Sequence, residues 1–155
     1  MIKECGRNKM NPEKKTTKSK YTKVVINTCY GGFSISPKAI EMLAQRKGKK
    51  CYFFDNSCKN VECNPTLING YPTGLFWTAS STDNLEEFDY TKHNLTNHPE
   101  NRADSDLVAV VEELGEEANG MHAELKVVKI PSDVKWHIEE YDGNEWVAEE
   151  HRTWH

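Results

Sequence analysis

The chain has 155 residues, 37% hydrophobic and 28% charged, with a net charge of −4. That length suits one domain around a single core, and the apolar content is too high for a wholly disordered chain. No apolar run approaches the roughly 20 residues of a membrane-spanning helix, and the basic start lacks the apolar stretch of a secretory signal, so a soluble intracellular protein is expected.

The charge is uneven. Residues 1–23 carry eight Lys/Arg against two acids, and residues 100–155 carry fifteen acids against five Lys/Arg. A nucleic-acid module places its basic residues on a folded face. Here they fall in an expected tail, which disfavours long DNA or RNA as a partner. The five cysteines, Cys5, Cys29, Cys51, Cys58 and Cys63, are odd in number and are expected as free thiols. Cys58 and Cys63, with Cys51 nearby and His93 and His98 downstream, form a conceivable zinc set, but paired zinc ligands are usually spaced more tightly. No metal and no cofactor is expected.

Residues 1–21 lack periodicity and read as a flexible basic arm, followed by a single domain over 22–155. Residues 21–28, with Val24, Val25 and Ile26 in succession, read as a buried strand. Gly31 and Gly32 break it. Ser36-Pro37 is a helix start, a hydroxyl cap followed by proline in the first turn. Ala39, Ile40, Met42 and Leu43 supply the helix's apolar face and Gly48 its stop. Residues 51–55 read as a short strand. Residues 56–100 are rich in Asn, Thr, Ser and Pro, with one or two short strands expected around 67–78. Asp104 can cap a second helix carrying Leu107, Val110, Val111 and Leu114 at helical spacing, and Gly115 ends or bends it. Residues 124–130 read as a strand, and Val134, Trp136 and Ile138 alternate as in a half-buried one. Asp142-Gly143 is a tight-turn signal. The last segment returns as a hairpin strand with Trp146, Ala148 and Arg152 on one side, or forms a short terminal helix. The order predicts an α+β fold, an antiparallel sheet with two main helices on one face. The uncovered sheet surface points to a homo-oligomer.

The densest candidate site is the run from Asn27 to Ser36, NTCYGGFSIS. Gly31 and Gly32 allow a sharp turn and close backbone approach to a ligand, and consecutive amides near a helix start can receive an anion. Tyr30 and Phe33 offer flat faces for a base or sugar, with Cys29 and Ser34 beside them. The plain alternative is a strand-to-helix turn with its aromatics in the core. The run has neither the Lys-Ser/Thr pair of a P-loop nor a full dinucleotide fingerprint. Cys29 would be a nucleophile only with a base and a positive environment; a small buried thiol is the ordinary outcome. Arg102 can fork onto a phosphate or carboxylate, or pair with a nearby acid. Asp104 has a sufficient role as a cap. Glu139, Glu140, Glu145, Glu149 and Glu150 could supply paired carboxylates, or form a solvated strand face.

Two stretches, VVINTCYGGFSISPKAI at 24–40 and the segments NRADSDLVAVVEELGEEANG, LKVVKIP and WHIEEYDGNEWVAEEHRTW within 101–154, resemble small bacteriophage and prophage proteins, in particular the Thoeris anti-defence sponges of the first type. The resemblance spans about two-thirds of the chain and omits the arm and most of 51–100. It implies a protein of the infected bacterial cytoplasm that binds a cyclic ADP-ribose isomer without degrading it. Some members of that group also take up cyclic oligonucleotides at a second kind of site, and the resemblance implies a homodimer or a hexamer of dimers. In that reading Tyr30 or Phe33 faces the adenine, while Arg102, Arg152 and the Gly31-Gly32 turn hold the pyrophosphate. Two other readings stay open, a Cys29-dependent hydrolase or transferase acting on a small nucleotide and a protein-interaction module.

Overall fold

In a computed structural model, residues 19–56, 65–96 and 99–151 are described. The fold is α+β with antiparallel pairing throughout: β1 Tyr21–Asn27, α1 Pro37–Arg46, β2 Tyr52–Asp55, β3 Thr66–Ile68, β4 Trp77–Ser80, α2 Tyr90–His93, α3 Ser105–Leu114, β5 Leu125–Pro131, β6 Trp136–Tyr141 and β7 Asn144–Glu149. The strands divide among three small sheets, β1 with β5, β3-β2-β4, and β6 with β7, rather than forming one continuous sheet. Where one or two short strands were expected in the middle segment, two are present, β3 and β4, and the single turn of α2 follows them.

Local chemistry explains the helices. Ser36 caps α1, its hydroxyl accepting from the Ala39 amide at 3.2 Å, with Pro37 in the first turn. Gly48 ends the turn beyond α1 at φ +69°, a conformation open to glycine without a Cβ penalty. Asp104 caps α3, accepting from Asp106 and Leu107 amides at 3.1 and 3.0 Å. Past α3, Gly115 at φ +57° redirects the chain into a 3-10 turn, Gly115–Ala118.

The core joins Val25 of β1, Phe33 and Ile35 of the linker, Ala39 and Ile40 of α1, Phe53 of β2, Ala79 of β4, and Leu107, Val108, Val110 and Val111 of α3. Met42 and Leu43, expected on the apolar face of α1, pack at its edge. The α1–α3 packing is flanked by the ion pair Arg46–Glu113 at 2.9 Å, while Lys23 of β1 reaches Glu112 at 2.7 Å. Both are solvent-exposed, and such pairs each contribute little.

β6 and β7 form a hairpin closed by Asp142 and Gly143, both at positive φ, as the two-residue turn of a right-twisted hairpin requires. A two-stranded hairpin is marginal alone, so its place depends on what it docks against. Trp146 and Ala148 share one face, as expected; Arg152 lies outside the described residues. Most of the basic arm also lies outside them, but Ser19 and Lys20 are tied to the turn after β5. The Ser132 amide donates to the Lys20 carbonyl, and the Ser132 hydroxyl to that of Ser19.

Candidate functional site

The NTCYGGFSIS run connects β1 to α1 and divides between two places. Its first half lies under the β6–β7 hairpin. Asn27 is fully buried at the end of β1. Its Nδ2 donates to the carbonyls of Cys29 and Gly143 at 2.7 and 2.6 Å, and its Oδ1 accepts from the Glu124 amide at 2.8 Å. The Asn27 amide donates to the Glu145 carboxylate at 2.8 Å. One asparagine therefore joins the strand end, the glycine turn, the hairpin turn and the start of β5.

Gly31 is a glycine because another chain segment lies against it, and Gly32 because its φ of +90° favours one. A Cβ on Gly31 would overlap the backbone of His122, and one on Gly143 would overlap the nitrogens of Gly31 and Gly32. The close approach expected of this turn is thus made by the protein's own chain, by His122 and by the hairpin's Gly143. Phe33 is buried, and the Arg102 guanidinium lies over its ring, 3.2 Å from the centroid. Arg102 forks onto both oxygens of Glu145 at 3.2 Å, with the two side chains only 16% and 10% exposed. Burial lowers the Arg102 pKa and the Glu145 charge opposes that shift. The base-stacking face expected of Phe33 is therefore covered by Arg102, and the fork expected for phosphate is engaged by Glu145. Asp104, the other residue of that motif, is occupied as a cap and by Lys47 at 2.9 Å; the Lys47 hydrogen bond is the first cause holding its carboxyl below the usual range. Cys29 is half-buried and Tyr30 exposed. Arg152 cannot be placed, lying outside the described residues.

The second half of the run opens onto a cleft of about 320 Å³, the lower end of small-molecule sites. Ser34, Ile35 and Pro37 form one wall, Asn119, Gly120 and Met121 another, and the loop 72–75 with Trp77 the rest. The walls meet through backbone hydrogen bonds, Ser36 amide to Ala118 carbonyl at 2.9 Å and Gly120 amide to Ser34 carbonyl at 3.1 Å. Among the described residues no charged side chain lines the cleft. Trp77 is held edge-on to Phe53 with ring centroids 5.8 Å apart. Asn119 spends its Oδ1 on the Leu125 amide at 2.8 Å, leaving its Nδ2 as a donor. Thr96 accepts from the Ala79 amide at 2.8 Å through its hydroxyl oxygen, which leaves its proton for a ligand.

Among the described residues Ser34 is thus the only expected site residue on the cleft. Trp77, Thr96 and Asn119 are not among the expected site residues, and the one sequence signal for them is that two aromatics, Phe76 and Trp77, are adjacent in a polar segment. Glu145, expected in a run of paired carboxylates or on a solvated strand face, is instead the buried partner of Arg102. Among the described residues no three His, Cys, Asp or Glu side chains come together as a metal site; Cys58, Cys63 and His98 lie outside them. No helix among the described residues is long and apolar enough to cross a membrane. No protein-family model, no curated protein and no solved structure matches the chain.

Proposed function

We propose that the chain is a non-catalytic binding protein that takes a compact, ring-bearing signal of the cyclic ADP-ribose class into the cleft beside Trp77 and sequesters it in the cytoplasm of an infected bacterium. The observation that carries the binding reading is the cleft itself. It combines an indole, apolar walls from Ile35, Ile40 and Leu75, and hydrogen-bonding groups of Asn119 and Thr96, with no charge among the described residues of its lining. Such a surface favours a neutral aromatic ring held by contact and two or three hydrogen bonds. The charged part of a nucleotide then remains at the mouth. The signal class and the host rest on the resemblance of the two sequence stretches. Arg102 is not part of this reading, since Glu145 neutralises it away from the cleft lining.

The test is calorimetry with cyclic ADP-ribose isomers, followed by mass spectrometry of the ligand released on heating. A sequestering protein returns the ligand unchanged; recovery of a cleaved product supports the hydrolase reading instead. Thr73→Phe, at an exposed position of the cleft wall, should fill the cleft and abolish binding with the far-ultraviolet dichroism unchanged. Binding that survives Thr73→Phe would place the site elsewhere.

A further inference from the structure

We infer that the outer edge of β5 is a self-pairing surface, on which two copies of this chain join antiparallel through Val127 and Lys129 about a two-fold axis at Val128.

The two edges of the β1–β5 sheet differ. The Thr28 amide donates to the Glu124 carbonyl, which makes Thr28 and Glu124, and every second pair after them, the hydrogen-bonded pairs of this ladder. The alternate residues point their backbone groups outward. On β1 the outward amides of Val25 and Asn27 are taken, by the Arg102 carbonyl at 2.9 Å and by Glu145 at 2.8 Å, and that of Tyr21 by the Ser19 hydroxyl at 3.3 Å, so Lys23 is isolated between bonded neighbours. On β5 the outward residues are Leu125, Val127, Lys129 and Pro131. The Leu125 amide is taken by Asn119 and Pro131 has none. The amides and carbonyls of Val127 and Lys129 have no hydrogen-bond partner among the described residues. An extended strand with free outward groups is a template for another strand.

The free window is self-complementary, and side-chain chemistry selects its register. With Val127 opposite the Lys129 of the second copy, both free amides and both free carbonyls of each copy are used, four hydrogen bonds in all. Val128 then faces its own counterpart, and Lys126 faces Ile130. Each lysine lies beside a β-branched residue that its methylene stem can cover. Sliding by one step of the ladder in one direction sets Lys129 against Lys129 and Val127 against Pro131, losing a donor and opposing like charges. Sliding the other way requires the Leu125 amide already bonded to Asn119. A two-fold contact of this kind closes on itself and leaves no growing edge.

This proposal is independent of what the cleft binds. It is tested on the full chain at about 50 µM by light scattering. The parent should have twice the monomer mass. Lys129→Pro removes an outward amide that no intramolecular bond uses, at an exposed position of an edge strand where proline is tolerated. It should give a monomer with unchanged far-ultraviolet dichroism. Val128→Cys should form a disulfide-linked dimer under oxidised glutathione at least ten times faster than Ile130→Cys or the parent. A monomeric parent, a Lys129→Pro variant that remains dimeric, or equal cross-linking at 128 and 130 would each overturn it.

Discussion

The Glu145 carboxylate holds Arg102 and Asn27 at the same time: both its oxygens accept from the guanidinium at 3.2 Å, and one also accepts from the Asn27 amide at 2.8 Å. This contact carries the β6–β7 hairpin, and the stack of Arg102 on Phe33 sits beneath it. Removing one partner of a buried pair leaves the other charge unpaired at a cost of about 3–5 kcal/mol. Arg102→Ala should therefore lower unfolding stability in urea by about that amount. Adding Glu145→Gln to it should recover part of the loss, because the stranded charge is gone. Additive losses in the double variant would show that the two side chains are not coupled.

Gly143 and Gly48 separate conformation from packing. Both have positive φ, +86° and +69°, but a Cβ at 48 meets open space while one at 143 overlaps Gly32. Gly48→Ala should cost about 1–2 kcal/mol from the left-handed backbone alone. Gly143→Ala should cost several-fold more and release the hairpin, read as faster amide exchange in β6 and β7. Equal melting temperatures for the two variants would contradict the close approach.

Asp104 makes acid stability measurable at one cap. Its carboxyl is held below the ordinary value, first by the hydrogen bond from Lys47 and also by the α3 amides. A carboxyl with a folded pKa below its unfolded value stabilises fully above the unfolded value of about 3.9 and loses that contribution as pH falls through the folded value. Asp104→Ala should cost about 1 kcal/mol at pH 7. The gap between parent and variant should narrow below about pH 4. A gap constant from pH 7 to pH 2.5 would show that the charge has no part in capping.

Burial, with Glu41 as a second cause, pushes the Cys51 thiol up to about 12. The thiolate is the reactive form, so Cys51 should stay unmodified by iodoacetamide in the native protein at pH 8 and react after unfolding. Peptide mapping by mass spectrometry reads this directly. Rapid native modification of Cys51 would mean that the β2 region opens readily.

Most elements were legible in the sequence because their causes are local. Ser36-Pro37 and Asp104 mark helix starts by the hydrogen bonds their own side chains offer to amides two or three residues on. Val24-Val25-Ile26 reads as a buried strand, and Asp142-Gly143 as a hairpin turn, because backbone preferences act over two residues. The turn of α2 was not legible, since Asp89 caps only four residues with no apolar period.

The partners of these elements are set only by the tertiary structure. Whether Arg102 meets a ligand phosphate or Glu145, 43 residues away in sequence, cannot be read from either residue, because both pairings satisfy the same fork. Gly31 and Gly32 announce that something approaches the backbone, and only the folded chain shows that it is His122 at Gly31 and Gly143 at the nitrogens of both. The cleft beside Trp77 likewise exists because the linker after β1, the segment after α3 and the loop before β4 converge. Local sequence sets which conformations each segment prefers; long-range packing and the need to satisfy buried polar groups decide which segments meet.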